Sequence, residues 1–166
     1  MVDLIPFWRL EALYSLLEIR IKELQMTATK EALAEAKKQA IRLEVEAEER
    51  QHQWLLISVY RLQSQLALIE MDAETAIDLL KKAETVAVES KNEFLKEKVK
   101  VDLKKINQQL GMFQKLQERK APISETVKLA SLENTMQSIK QETVLEERDE
   151  ETGKIIEYRK LFTLKI

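Results

Sequence analysis

Cysteine is absent from this chain of 166 residues, and with it every disulfide and every thiolate reaction. That usage suits a reducing compartment, so a cytoplasmic location is expected. Glycine occurs twice, at Gly111 and Gly153, and proline twice, at Pro6 and Pro122. Two isolated glycines exclude a glycine-rich phosphate loop. Their scarcity, with that of proline, also removes the usual helix breakers. Aromatic residues make up 5% of the chain and are not interleaved with its lysines, so the stacking platforms that grip single-stranded nucleic acid are missing. Neither sign of charge dominates: 34% of residues are charged, the net charge is −2 and the pI is about 5.7. Such a chain has no general electrostatic drive toward nucleic acid, which is not expected as a partner. No apolar run approaches the ~20 residues that span a bilayer, and no basic segment followed by an apolar run marks a signal peptide at the N-terminus.

What remains is a helix-forming composition rich in Ala, Leu, Glu, Lys and Gln, with mixed charge to solvate the outer faces. The length fits one domain, or one domain with an appendage. The stretch Tyr60 to Asn92 organises the rest. It predicts two helices with a tight turn at Met71-Asp72. In the second, Ala76, Leu80, Ala83 and Ala87 recur at steps of four, three and four, a narrow face of mostly small residues that lets another helix approach closely. Asp72 stands where an N-cap belongs.

The pattern extends along the chain. Leu10, Leu13, Leu17, Ile21 and Leu24 mark a first helix, broken at Thr27-Ala28-Thr29. Leu33, Ala36, Ala40, Leu43 and Ala47 mark a second, flanked by Ile41 and Val45, over about 30–50. At an offset of 44 this helix repeats features of the fourth (Ala32 with Ala76, Lys37-Lys38 with Lys81-Lys82), which reads as an internal duplication with Gln39 at a position expected to be small. The stretch EERQHQW holds no Gly, Pro or good cap. Continuity from 30 to 70 would give a rod of ~60 Å and a coiled coil in place of hairpins. Leu55, Val59, Leu62, Leu66 and Ile69 mark a third helix at about 53–70. Asn92 caps a long fifth at about 93–119, with Leu95, Val99, Leu103, Ile106, Leu110 and Phe113 inward and Gly111 a candidate kink or early end. Lys120-Ala121-Pro122 ends it, and a sixth follows at about 124–141. The period then changes to two. Ile156, Tyr158, Phe162, Leu164 and Ile166 alternate with polar residues, Val144 to Arg148 is a candidate partner strand, and Gly153 lies in the turn. Because the alternation runs to the last residue, a fragment of a longer protein is expected, with this hairpin belonging to a following domain or linker.

The Tyr60–Asn92 stretch resembles a tetratricopeptide repeat, whose period is about 34 residues. Ser64 falls at the small position of the first helix, and Ala76, Leu80 and Ala83 within EMDAETAIDLLKKAE fall at the three second-helix positions. The stretch departs from the pattern at Gln63 and Ala67 and lacks the closing proline. The resemblance implies an all-α fold of about six helices, stacked as antiparallel hairpins in a short right-handed solenoid over 1–141; the two-residue alternation adds a β-hairpin at 142–166, an appendage or the start of a following domain. It implies a non-catalytic scaffold that binds a peptide or protein segment in the groove between first helices. Tyr14, Arg20, Tyr60, Arg61, Gln63 and Ala67 are the groove candidates. Trp8, Trp54, Tyr14 and Tyr60 read either as core or as groove anchors.

Self-association as a dimer is expected through the end helices or the C-terminal hairpin, with Ile156, Tyr158, Phe162 and Leu164 as oligomerisation residues. An alternative is a helical dimerisation or linker module of a larger signalling or regulatory protein. A further alternative is a metal-binding bundle. Glu49 and His52 have the Glu-x-x-His spacing of di-metal helices, but such sites need a second pair and His52 is the sole histidine. A serine nucleophile would have only His52 as base, with no flanking motif. No catalytic residue, metal or cofactor is therefore expected. Lys96, Lys98, Lys100, Lys104 and Lys105 on the fifth helix suggest an anion-binding face, although Glu93, Glu97 and Asp102 interleave with them as on a solvated face.

Overall fold

The computed structural model describes the backbone of residues 7–142, 144–148 and 155–160, with side chains over 9–140. It is all-helical through Glu142: α1 (Phe7–Thr27), α2 (Lys30–Glu49), α3 (Gln53–Ile69), α4 (Ala73–Glu89), α5 (Glu93–Glu118), α6 (Ile123–Leu129) and α7 (Leu132–Glu142). The expected count of about six becomes seven because the last expected helix is two. Ser131 takes φ 52° between α6 and α7, a left-handed residue that no α-helix accommodates. The early end considered at Gly111 does not occur, since α5 runs through it to Glu118. Pro6 and the side chain of Trp8 lie outside the described residues.

The doubtful junction after α2 is a true break, and its chemistry recurs. Gln51, Met71 and Lys91 have φ of 55°, 61° and 54°. At each, the next residue's amide reaches back to the carbonyl three residues before the helix's final turn residue: His52 to Ala47 at 2.8 Å, Asp72 to Ala67 at 3.0 Å and Asn92 to Ala87 at 3.0 Å. This is the Schellman closure, which satisfies carbonyls that the helix end leaves bare. The same residue then caps the following helix. His52 Nδ1 accepts from the Leu55 amide at 3.3 Å, Asp72 Oδ1 from Thr75 at 3.0 Å and Asn92 Oδ1 from Leu95 at 3.0 Å. A three-residue reversal thus ends one helix and starts the next.

These turns fall at 51, 71 and 91, a helix-and-turn unit of 20 residues (71 − 51 = 91 − 71). A helix pair therefore repeats every 40, where tetratricopeptide repeats take about 34. The difference lies in helix length, α3 and α4 having 17 residues each.

Each helix packs on the next, α1 on α2, α2 on α3, α3 on α4 and α4 on α5. Antiparallel order is visible in paired side chains. Tyr60 reaches Glu48 and Gln63 reaches Glu44, so rising numbers in α3 meet falling numbers in α2. The small-residue face of α4 is the buried one: Ala76, Leu80, Ala83 and Ala87 are its buried residues. On α2, Leu33, Ala36, Ala40, Leu43 and Ala47 are buried while Ile41 and Val45 are exposed. Buried Gln39, where a small residue was expected, is accommodated because its Nε2 donates to the Leu13 carbonyl of α1 at 3.1 Å.

The chain then returns. α6 and α7 lie against α1 and α3, not beyond α5. Val127, Ala130, Leu132, Met136 and Ile139 join one core with the apolar faces of α1, α2 and α3. A second core holds α4 and α5 against the other side of α3. Helix α3 serves both, and twelve of its residues are buried.

Beyond Glu142, the described backbone consists of two short extended segments, Val144–Arg148 and Ile155–Lys160. They are registered antiparallel with Val144 opposite Lys160. Of the expected oligomerisation residues, Phe162 and Leu164 lie outside the described residues, as do the side chains of Ile156 and Tyr158.

Candidate functional site

Helices α3 and α5 are neighbours in one layer, each preceded by the same cap. Arg61 and Asp102 stand nine and ten residues after His52 and Asn92, and Arg61 Nε donates to Asp102 Oδ2 at 2.6 Å. Helix α7 crosses the same layer. Its Ser138 Oγ lies 3.3 Å from Ser58 Oγ of α3, both buried. At its other end Ser131 is met by Lys105 Nζ of α5 at 3.4 Å. Since Ser138 meets Ser58 and Ser131 lies beside Lys105, α7 runs opposite to α3 and α5.

Between α5 and α7 an open groove remains, with a volume of about 490 Å³. Phe94, Glu97, Lys98, Val101 and Asp102 of α5 form one wall, Asn134 and Gln137 of α7 the other, and Arg61 of α3 also lines it. Two side chains of the α5 wall are strongly apolar and strongly exposed, Phe94 at 66% and Val101 at 63%. Burying such side chains is worth roughly 1.5–3 kcal/mol each, so their exposure marks a surface suited to a partner. Lys98 Nζ sits 4.4 Å from the centre of the Phe94 ring.

The charges of this wall are unequally satisfied. Glu97 is paired with Lys100 at 2.9 Å, and its carboxyl is held below the usual range chiefly by that hydrogen bond. Asp102 is paired with Arg61. Among the described residues Lys98 and Lys105 have no carboxylate partner: the first rests on a ring and the second touches a hydroxyl. Arg61, 7% exposed, uses Nε but leaves Nη1 buried with no partner among the described residues. An unpaired buried donor of a charged group is costly, so an incoming acceptor would gain by satisfying it.

The residues expected to line a groove are not brought together in one. Tyr14, Tyr60, Arg61 and Ala67 are buried, Tyr14 in the α1–α2–α3 core and Tyr60 and Ala67 in the α3–α4–α5 core. Gln63 is tied to Glu44 at 2.5 Å and Arg20 to Glu23 at 2.8 Å. Only Arg61 lines the open groove. Trp54, half exposed, lies one turn before Ser58 on α3, on the side that α7 approaches. Phe94 and Val101 were passed over because they stand off the Leu95–Val99–Ile106 stripe. Their own spacing, seven residues on a face the core does not use, was the available signal.

Among the described residues no group of three or more His, Cys, Asp or Glu could hold a metal ion. His52, whose Nδ1 is engaged as a cap, stands at a helix–helix turn. No described helix is long and apolar enough to cross a membrane.

The described residues define an all-helical body with an open groove between α5 and α7 whose lip carries Phe94 and Val101. No protein family, curated protein or solved structure matches the chain.

Proposed function

We propose that the chain is a non-catalytic scaffold, a degenerate tetratricopeptide-like solenoid with lengthened helices, that binds a protein or peptide segment. The observation that carries this reading is that the layer of α1 and α3 accepts a helix, α7, while the continuing strip on α5 is open and displays Phe94 and Val101. A surface that already seats one helix by shape has the form needed for another. The cytoplasm is the proposed location, and 142–166 is proposed as a β-hairpin appendage.

A photo-crosslinking side chain placed at Phe94, at Val101 and, as control, at Ile41 on the outer face of α2 tests the reading in the cells that make the protein. One and the same protein should be captured from the first two positions, be absent from the third, and be competed away by excess unmodified chain. Absence of any discrete product at Phe94 and Val101 ends the reading.

A second reading, a dimer through an end helix, is favoured by Ile19 and Met26 of α1, exposed at 59% and 87%. Sedimentation of the full chain against Met26→Glu and against a deletion of 143–166 separates association through α1, association through the appendage, and a monomer.

A further inference from the structure

Two spacings on α5 coincide. Phe94 and Val101 are seven residues apart, and so are Lys98 and Lys105. Seven residues rise about 10 Å, two turns, so the wall presents an apolar row beside a cationic row with one common repeat. The acidic residues between them are internally neutralised, Glu97 by Lys100 and Asp102 by Arg61. The cations without a carboxylate partner among the described residues are Lys98, in the groove wall, and Lys105, one turn beyond Val101 on the same face of α5, while Arg61 spends its charge on Asp102 and keeps only Nη1 as an unsatisfied donor. The opposite wall, Asn134 and Gln137 of α7, is neutral and polar.

From this we propose that the groove receives an amphipathic helix whose apolar face is flanked by acidic residues at heptad spacing, lying alongside α7 and covering α5. A row that repeats every seven residues is matched by a helix, since an extended peptide would bring side chains to one face every second residue. Leucine-like side chains would cover Phe94 and Val101. Carboxylates two turns apart would pair with Lys98 and Lys105, and the guanidinium of Arg61 would turn an unsatisfied N–H toward an acceptor. The proposal rests on the scaffold reading and adds the chemistry of its partner.

Two synthetic helices about three heptads long, with the same leucine face and either Glu or Lys on its flanks, are suitable probes for the full chain by fluorescence anisotropy. The Glu peptide should bind at least about tenfold more tightly than the Lys peptide. Replacing both Phe94 and Val101 by Ala should weaken it about tenfold, with no change in helical circular dichroism because both side chains are exposed. Lys98→Glu should reduce or invert the preference between the peptides. Equal affinity for the two, an unchanged preference in Lys98→Glu, or no binding of the Glu peptide overturns the proposal. Binding of the Glu peptide that ignores the Phe94 and Val101 substitutions overturns the site alone and leaves the scaffold reading standing. Self-association of the chain that is abolished by the same pair of substitutions also overturns the proposal, because the occupant would then be a second copy.

Discussion

Ser64 Oγ donates to the carbonyl of Ala76 at 2.9 Å, so the first helix of the central pair is pinned to the first turn of the second by a buried serine hydroxyl. The contact explains why a small residue is needed there. The side chain is 1% exposed, and its hydroxyl bonds a backbone carbonyl of the facing helix. Ser64→Ala should cost about 1 kcal/mol, the worth of a net hydrogen bond. Ser64→Leu should cost about 1–3 kcal/mol by overpacking. Chemical denaturation of the two variants should therefore rank them in that order, and equal midpoints would mean that closeness of approach is not limiting.

The repeated turns predict opposite effects at adjacent positions. At 51, 71 and 91 a side-chain-bearing residue holds positive φ, which costs an L-residue roughly 1–2 kcal/mol. Glycine removes that strain at an entropic cost of about 0.5–1 kcal/mol. Lys91→Gly should thus raise the melting temperature by up to about 2–4 °C, and Lys91→Val should lower it. One residue on, His52→Ala and Asp72→Ala each remove a cap and should cost about 1 kcal/mol, whereas Asp72→Asn should be nearly neutral. The Asp72 carboxyl is held below its usual pKa by hydrogen bonds from Thr75, so its share of stability is present above the ordinary carboxylate range and is lost as pH falls through the lowered value. Asp72→Asn should lack that component of the acid-induced loss in thermal melts.

How far sequence reasoning reached follows from which interactions are local. The faces of α2, α4 and α5 are periodic patterns within one helix, and Asp72 and Asn92 are caps recognisable by residue type. His52 was not recognisable, because an imidazole rarely serves as a cap, and the break after α2 stayed ambiguous with it. The 20-residue spacing was present in the sequence as Ala47, Ala67 and Ala87, each accepting the returning amide of a turn. It was obscured by comparison at an offset of 44. The return of α6 and α7 onto α1 and α3 could not be read locally. It depends on Ser58 with Ser138 and on Thr126 with the Ile69 carbonyl, pairs 80 and 57 residues apart. Tyr14 lies in the core that α6 and α7 join, while Tyr60 was taken up by the α3–α4–α5 cluster. The open surface is left to Phe94 and Val101.

Both buried tyrosines make an alkaline prediction. The Tyr14 and Tyr60 phenols are each pushed up to about 12, mainly by burial, with Glu18 contributing at the first and Glu44 and Glu48 at the second. An unfolded tyrosine ionises near about 10. Below that pH the contribution to stability is complete. Between about 10 and 12 the unfolded chain gives up protons that the folded chain keeps, so stability falls as pH rises. Thermal melts across this interval should show a shallower decline in Tyr14→Phe and Tyr60→Phe than in the wild type. Identical slopes would place both phenols in water.

The two cores predict that the molecule loosens in parts. The buried residues of α6 and α7 join the core of α1, α2 and α3, with the half-buried Leu129 at the end of α6 also touching the second core, whereas α4 and α5 pack on the opposite side of α3. Ser58 and Ser138 meet where α7 sits on α3, with no exposed surface at Ser58. Ser58→Leu adds bulk at that contact and should raise α7 off α3 at a cost of about 1–3 kcal/mol. Ser58→Ala keeps the shape and should cost about 1 kcal/mol, leaving the Ser138 hydroxyl without this partner. Amide hydrogen exchange should then accelerate through α6 and α7 in the Leu variant while α4 and α5 keep their protection, as separate cooperative units do. Equal acceleration in α4 and α5 would show that the returning helices are integral to the whole stack. In the expected case the lifting of α7 would also widen the channel beside α5, so the acidic helical peptide should bind Ser58→Leu with altered affinity while Ser58→Ala behaves as the wild type.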